Sequence, residues 1–185
     1  MNSKIKNIII LAILTALAYV AMLVVRVPFP AASFLTYDPK DVFIIIGGFL
    51  YGPLAVIPMS LVVSLLEMPL SGTGPVGLLM NILATCSFAF TAALIYKKRR
   101  TISGAVIGII SGVLLMIAVM ILWNYLITPM YMGVPREFVA GMLIPVFLPF
   151  NLLKGIYNAA ITILIYKRLS VVLRKLGILS ESRIK

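Results

Sequence analysis

Long uncharged stretches separated by short charged or proline-rich segments dominate the chain. No charged residue stands between Lys6 and Arg26, a stretch long enough for a helix that rises 1.5 Å per residue to cross a bilayer. Three later stretches, at about 76–96, 104–127 and 145–167, are also long and apolar, and Lys154 is the one charge away from their ends. The pattern predicts a transmembrane helix for each of the four.

The apolar stretch at 42–66 permits either one long helix or two short ones. It contains Gly47-Gly48 and Gly52-Pro53, and a Gly-Pro pair in the middle of such a stretch is a strong turn signal. The basic cluster at 97–100 settles the choice, because short basic loops belong in the cytoplasm. Only a split at Gly52-Pro53 places the cluster and both chain ends on that side.

The predicted fold is therefore an all-α, multi-pass integral membrane protein with six transmembrane helices and cytoplasmic amino and carboxyl termini. The six predicted spans cover roughly residues 7–25, 40–51, 53–67, 76–96, 104–127 and 145–167. They form a single domain over residues 1–185.

Composition agrees with a membrane environment and excludes several functions. The chain is 62% hydrophobic and 11% charged, whereas soluble domains carry roughly 25% charged residues. The net charge of +11 lies at the edges of apolar stretches, so it indicates topology rather than nucleic-acid binding. With no histidine, one cysteine (Cys86) and no phosphate-binding Gly-x-x-x-x-Gly-Lys-Ser/Thr motif, we expect no catalysis, ATPase activity, metal site or cofactor.

The three loops predicted outside, at about 26–40, 67–75 and 128–144, suggest a lidded site that faces outward. Four of the five acidic residues lie in or beside them: Asp38, Asp41, Glu67 and Glu137. For Asp38 and Asp41 we expect a role in fixing the loop or capping a helix. Seven prolines are expected to keep these loops out of helix: Pro28, Pro30, Pro39, Pro69, Pro75, Pro129 and Pro135.

The last predicted helix carries Asn151, Lys154 and Asn158 on one face. Lys154 is the only charge that the pattern places well inside a span, since Lys40, Asp41, Glu67 and Lys167 stand at span ends, and a charge within a span costs roughly 2.5–3.5 kcal/mol. It therefore either faces a polar site in the bundle or extends to the outer interface.

Other polar side chains are predicted at a similar depth, near the outer ends of their helices: Glu67, Asn81, Trp123 and Asn124. Trp123 could instead belong to an interfacial aromatic belt, and Asn81 could bond a neighbouring helix. Amides, an ammonium group and aromatic rings suit a planar, largely apolar ligand with carbonyl and imide edges.

Four segments resemble the riboflavin-specific S component of energy-coupling factor (ECF) transporters. They are FLTYDPKD at 34–41, GGFLYGP at 47–53, WNYLITPMYMGVPRE at 123–137 and LPFNLLKGIYNAAIT at 148–162. The resemblance implies a bacterial cell-membrane protein with the S-component fold and a high-affinity riboflavin pocket. It also implies partnership with a transmembrane T component and two ATPase subunits. A self-contained secondary carrier or channel for a small planar metabolite is the alternative.

The resemblance also focuses the predicted sites. Asn124, Asn151 and Lys154 are expected to hydrogen-bond the flavin, with the first outer loop closing over it. The full set of predicted ligand-binding residues is Leu35, Tyr37, Asp38, Glu67, Asn81, Trp123, Asn124, Asn151, Lys154 and Asn158. Ala12 and Ala16 on the first helix are expected to face the T component. Whether flavin mononucleotide (FMN) or other flavin analogues are accepted is left open.

Overall fold

A computed structural model describes residues 3–175. Its helices are α1 (Ser3–Val24), α2 (Lys40–Tyr51), α3 (Val56–Ser71), α4 (Gly74–Thr85), α5 (Thr91–Lys98), α6 (Ile102–Leu126), α7 (Thr128–Met132), α8 (Arg136–Met142) and α9 (Leu148–Lys175). A 3-10 turn, Pro53–Ala55, leads into α3, and π-helical segments at Cys86–Phe90 and Leu143–Phe147 join α4 to α5 and α8 to α9. The carboxyl terminus, which the topology prediction places in the cytoplasm, lies outside the described residues.

Five stretches of the described chain are long and apolar enough to cross a membrane: Lys4–Val24, Pro53–Ser71, Gly74–Lys98, Ile102–Leu126 and Arg136–Tyr166. Helix α2, the second of the six predicted spans, has only 12 residues. At 1.5 Å per residue it is shorter than the hydrocarbon core. The crossing count of six and the cytoplasmic termini therefore stay predictions.

The predicted break at Gly52-Pro53 is present. Helix α2 ends at Tyr51, and Gly52 has a φ of 96°, in the region that favours glycine. Proline then starts the 3-10 turn that leads into α3. The chain turns here because Gly52 can adopt the left-handed backbone and Pro53 cannot continue the ladder of α2.

Helix α2 is the centre of the bundle. It packs against α1, α5 and α9, and ten of its twelve residues are buried. Helix α5 and the π-helical segment Cys86–Phe90 also pack closely on α6. A Cβ atom at Gly112 of α6 would overlap the Phe88 carbonyl oxygen, so a glycine permits this approach.

The outer loops contain more regular structure than their prolines suggested. Pro69 lies inside α3, Pro75 and Pro129 lie in the first turns of α4 and α7, and α7 and α8 occupy most of the third loop. The expectation that all seven prolines exclude helix is therefore wrong. Pro75 and Pro129 fit because the N–H groups in the first turn of a helix make no intrahelical hydrogen bond.

The first loop contains an antiparallel hairpin, which the all-α expectation did not include. Strands β1 (Val27–Phe29) and β2 (Ala32–Tyr37) pair with Val27 opposite Tyr37. A separate apolar cluster anchors the hairpin on the start of α9 and on α8; its buried members are Ala32, Leu35, Val139, Phe147 and Phe150. The hairpin thus covers the end of the bundle where the predicted site residues lie.

Candidate functional site

A cluster of buried charges lies beneath the hairpin. The Lys154 ammonium on α9 lies 3.3 Å from Asp38 Oδ2 and 3.9 Å from Asp41 Oδ2. Lys40 pairs with Glu67 of α3 and lies 3.5 Å from Asp38. Each of these five side chains is less than a tenth exposed. Buried charges need such partners, because an isolated one would carry a large desolvation penalty.

The buried charges are not limited to Lys154, the one charge that the sequence places well inside a span. Lys40 and Asp41 lie in the first turn of α2 and Glu67 lies within α3, and all three are buried. Lys154 faces the bundle interior rather than the outer interface. Its partners in the structure are the carboxylates of Asp38 and Asp41.

Asp38 and Asp41 do more than the loop-fixing or capping role expected of them. Asp38 does accept a hydrogen bond from the Lys40 backbone amide at 3.2 Å, which fixes the turn into α2. Burial opposes its ionisation, but the ammonium groups of Lys154 and Lys40 outweigh this and hold the pKa of Asp38 below its ordinary value. Asp41 accepts hydrogen bonds from Thr85 at 2.7 Å and from the Asn158 amide at 3.2 Å.

Asn158 links the hairpin to this cluster. Its side-chain oxygen accepts a hydrogen bond from the Tyr37 hydroxyl at 3.2 Å. Burial and the Asp38 carboxylate raise the pKa of Tyr37, so the hydroxyl keeps the proton that it donates. Asn158 is fully buried, and its two hydrogen bonds tie the hairpin to the first turn of α2.

A cavity of about 80 Å³, which we call the polar cavity, lies beside the charge cluster. Seven of the ten predicted ligand-binding residues line it: Leu35, Asp38, Glu67, Asn81, Asn124, Asn151 and Lys154. The sequence argument missed other lining residues, among them Arg26, Thr36, Ser71, Thr73 and Phe150. Ser71 and Thr73 could have been found from the run of small residues at 71–74, which alternates hydroxyl side chains with glycine.

A second cavity of about 170 Å³, the apolar cavity, adjoins the first. The two share Phe34, Leu35, Thr73, Met80 and Asn124 as lining residues. Trp123 lines the apolar cavity, and its buried indole N–H has no hydrogen-bond acceptor within the described part of the chain. The predicted residue Tyr37 lines a different space, an open groove of about 570 Å³ between the hairpin and α9.

The two asparagines of the polar cavity have fixed amide orientations. Asn151 Nδ2 donates to the Phe147 carbonyl at 2.8 Å, and that oxygen can only accept. The Asn151 side-chain oxygen therefore points the other way, and no described residue donates to it. Asn124 donates through Nδ2 to the Met120 carbonyl at 2.7 Å and accepts from the Thr128 hydroxyl at 2.8 Å.

The predicted docking residues lie on the open face of α1. Ala12 and Ala16 are exposed, together with the neighbouring apolar residues Ile9, Ile13 and Leu17. An exposed apolar face of a membrane helix contacts either lipid or another membrane helix. That this face meets a T component stays a prediction.

The amino-acid sequence is similar to those of known transport proteins. Residues 6–166 match the family described as "ECF transporter, substrate-specific component". The riboflavin transporter RibU of Staphylococcus aureus is 32% identical over 178 residues, covering 92% of this chain and 94% of that protein. The riboflavin transporter FmnP of Bacillus subtilis is 31% identical over 182 residues, covering 90% and 93%.

A solved structure has the same fold. It is described as the S component of a bacterial ECF transporter, and it aligns with a TM-score of 0.80 and 34% identity. The alignment covers 92% of this chain and 98% of the other. The shared fold therefore extends over nearly the whole of both chains.

Proposed function

The chain belongs to the substrate-specific (S) components of ECF transporters, and we propose that it is the high-affinity riboflavin-binding subunit of an ATP-driven vitamin importer in the bacterial cell membrane. The named relatives are riboflavin transporters. The observation that carries the choice of ligand is the free side-chain oxygen of Asn151 in a cavity that Lys154 also lines.

The polar cavity suits the imide edge of a flavin, which presents C=O, N–H and C=O in a row. Asn151 Oδ1 supplies the acceptor for the N–H group. Lys154 has three N–H donors, and Asp38 takes one of them in a hydrogen bond, so a second can reach a carbonyl. Asn124 offers its remaining amide N–H to the other carbonyl. This donor–acceptor–donor order matches the ligand edge.

The ring system of the ligand requires more room than the polar cavity provides. Pockets that hold ligands of this size are typically about 300–1,000 Å³. Joining the two cavities through their shared wall would approach that range. A movement of Leu35, carried on the hairpin, together with Met80 would join them. Phe34, Phe150 and Trp123 then supply aromatic faces for stacking.

Import needs energy that the described residues show no motif to supply, so we propose that a T component and two ATPase subunits provide it. The exposed face of α1 around Ala12 and Ala16 is the proposed contact with the T component. Small residues there let a partner helix approach closely. In this arrangement the chain binds the vitamin and performs no catalysis.

Fluorescence titration tests the proposal. Riboflavin should lose fluorescence as purified protein is added, with a saturable 1:1 curve, and protein purified from cells should carry a yellow flavin. Thiamine and biotin, titrated as competitors, should not displace it. Absence of saturable riboflavin binding by folded protein would contradict the proposed ligand and reopen the alternative of a carrier for another small planar metabolite.

A further inference from the structure

A cavity of about 240 Å³, which we call the basic cavity, lies at the end of α2 that is farther from the hairpin. Its wall combines the last turn of α2 and the turn at 52–54 with Ala93 of α5. Lys97, near the end of α5, and Arg100, just after it, supply the charged part of the wall. The polar cavity is lined by Asp38, just before α2 begins, so the length of α2, about 18 Å, separates the two cavities.

The turn at Gly52 leaves the basic cavity accessible. The last hydrogen bond of α2 runs from the Gly52 amide to the Gly48 carbonyl at 2.8 Å. A Cβ atom at Gly52 would meet no atom within 4 Å, so open space adjoins this part of the wall. The side chains of Lys97 and Arg100 are exposed. A ligand can therefore reach both cations from outside the bundle.

The charge around the basic cavity favours an anion. Four acidic residues belong to the described part of the chain, namely Asp38, Asp41, Glu67 and Glu137, and none of them lines this cavity. Helices α2 and α5 both end here, and the carbonyl end of a helix carries a partial charge of roughly −0.5. The two cationic side chains offset two such helix ends and leave a surplus of about one positive charge.

Exposed apolar side chains beside the cations indicate a lipid rather than a soluble anion. Leu54, which lines the basic cavity, is largely exposed. Ile102, two residues after Arg100, is exposed to a similar extent. A soluble phosphate would leave both side chains in water, whereas a phospholipid brings acyl chains together with its phosphate. Basic side chains at the ends of membrane helices reach the headgroup layer in the same way.

We infer that the basic cavity binds a phosphate group supplied by the headgroup of an anionic phospholipid. Arg100 has the fork of donors that can hold two phosphate oxygens, and Lys97 adds a second positive charge. Leu54 contacts the adjoining acyl chains. A bound headgroup thus ties the turn between α2 and α3 to the loop between α5 and α6. The site lies away from the polar cavity and does not depend on which ligand is transported.

Lipid binding to the purified full chain in detergent tests this site. Native mass spectrometry measures how much phosphatidylglycerol each chain binds, with zwitterionic phosphatidylcholine for comparison, and the wild type should prefer phosphatidylglycerol. The double variant Lys97→Gln with Arg100→Gln should weaken phosphatidylglycerol binding about thirtyfold. The matched control, Lys98→Gln with Arg99→Gln, removes the same charge from the same loop but outside the cavity wall, and it should keep the wild-type affinity.

Thermal unfolding separates lost binding from lost folding. Without lipid, both double variants should unfold at the wild-type temperature, and phosphatidylglycerol should raise that temperature only for the wild type and the control. Equal losses of binding in the two double variants would show diffuse attraction to the charge of the loop and overturn the site. Equal wild-type binding of the two lipids would do the same. Millimolar inorganic phosphate should not displace the lipid, and displacement would assign the cavity to a soluble phosphate compound instead.

Discussion

The Lys154 ammonium on the last helix lies 3.3 Å from the Asp38 carboxylate, which stands between the hairpin and α2. This ion pair joins segments 116 positions apart in the chain. It explains how a lysine can lie within a membrane helix, and it ties the wall of the proposed ligand pocket to the element that covers it.

The pair predicts strongly non-additive stability effects. Lys154→Met alone should cost about 3–5 kcal/mol, because it leaves Asp41 buried without its ammonium partner and leaves Asp38 with Lys40 alone. The double variant Asp38→Asn with Lys154→Met should recover about 0.5–3 kcal/mol of that loss. Thermal unfolding in detergent measures both, with Arg168→Met on the exposed side of α9 as the control. Additive effects would show that the two groups do not interact.

Asn151 should matter for binding more than for folding. Asn151→Leu removes the free acceptor proposed for the flavin N–H and should weaken riboflavin binding about ten- to a hundredfold. Its matched control on the same helix is Tyr157→Phe, since Tyr157 is half-exposed and faces the groove outside the cavity. Fluorescence quenching gives both affinities. Wild-type affinity in Asn151→Leu would show that Asn151 does not bind the flavin N–H. The imide edge would then be placed near Asn81 and Glu67.

The face of α1 predicts a separation of uptake from binding. Ala16→Trp should abolish riboflavin uptake but leave binding intact, because a large ring prevents close approach of the T component. Leu114→Trp, at an exposed apolar position on α6, should support normal uptake. The assay is growth on low riboflavin of cells that cannot synthesise it. Normal growth with Ala16→Trp would place the docking surface elsewhere.

The charge pattern predicts the direction of insertion. A reporter fused within the basic loop at 97–100 should be active in the cytoplasm, and one fused at Gly133 should be active outside. Reporter pairs that function on only one side of the membrane provide the measurement. An external basic loop would require an odd number of crossings before it, contrary to the six-helix topology.

The sequence predicted most of the helices because their cause is local. In lipid, the backbone N–H and C=O groups of an uncharged stretch must hydrogen-bond to one another, and a helix makes all these bonds within one segment. The break at Gly52-Pro53 was equally visible, since glycine permits backbone conformations that other residues avoid and proline cannot continue a helix. The shared face of Asn151, Lys154 and Asn158 followed from helical periodicity alone.

What the sequence could not decide was which distant groups meet. Asp41 appeared as a loop residue, yet packing places it in the bundle interior against Thr85, Asn158 and Lys154. Arg26 appeared as the end of a span, and only the approach of α3 and α4 makes it part of a cavity. Desolvation and ion pairing depend on everything that surrounds a charge, so the tertiary structure alone determines which charges are buried and which are exposed.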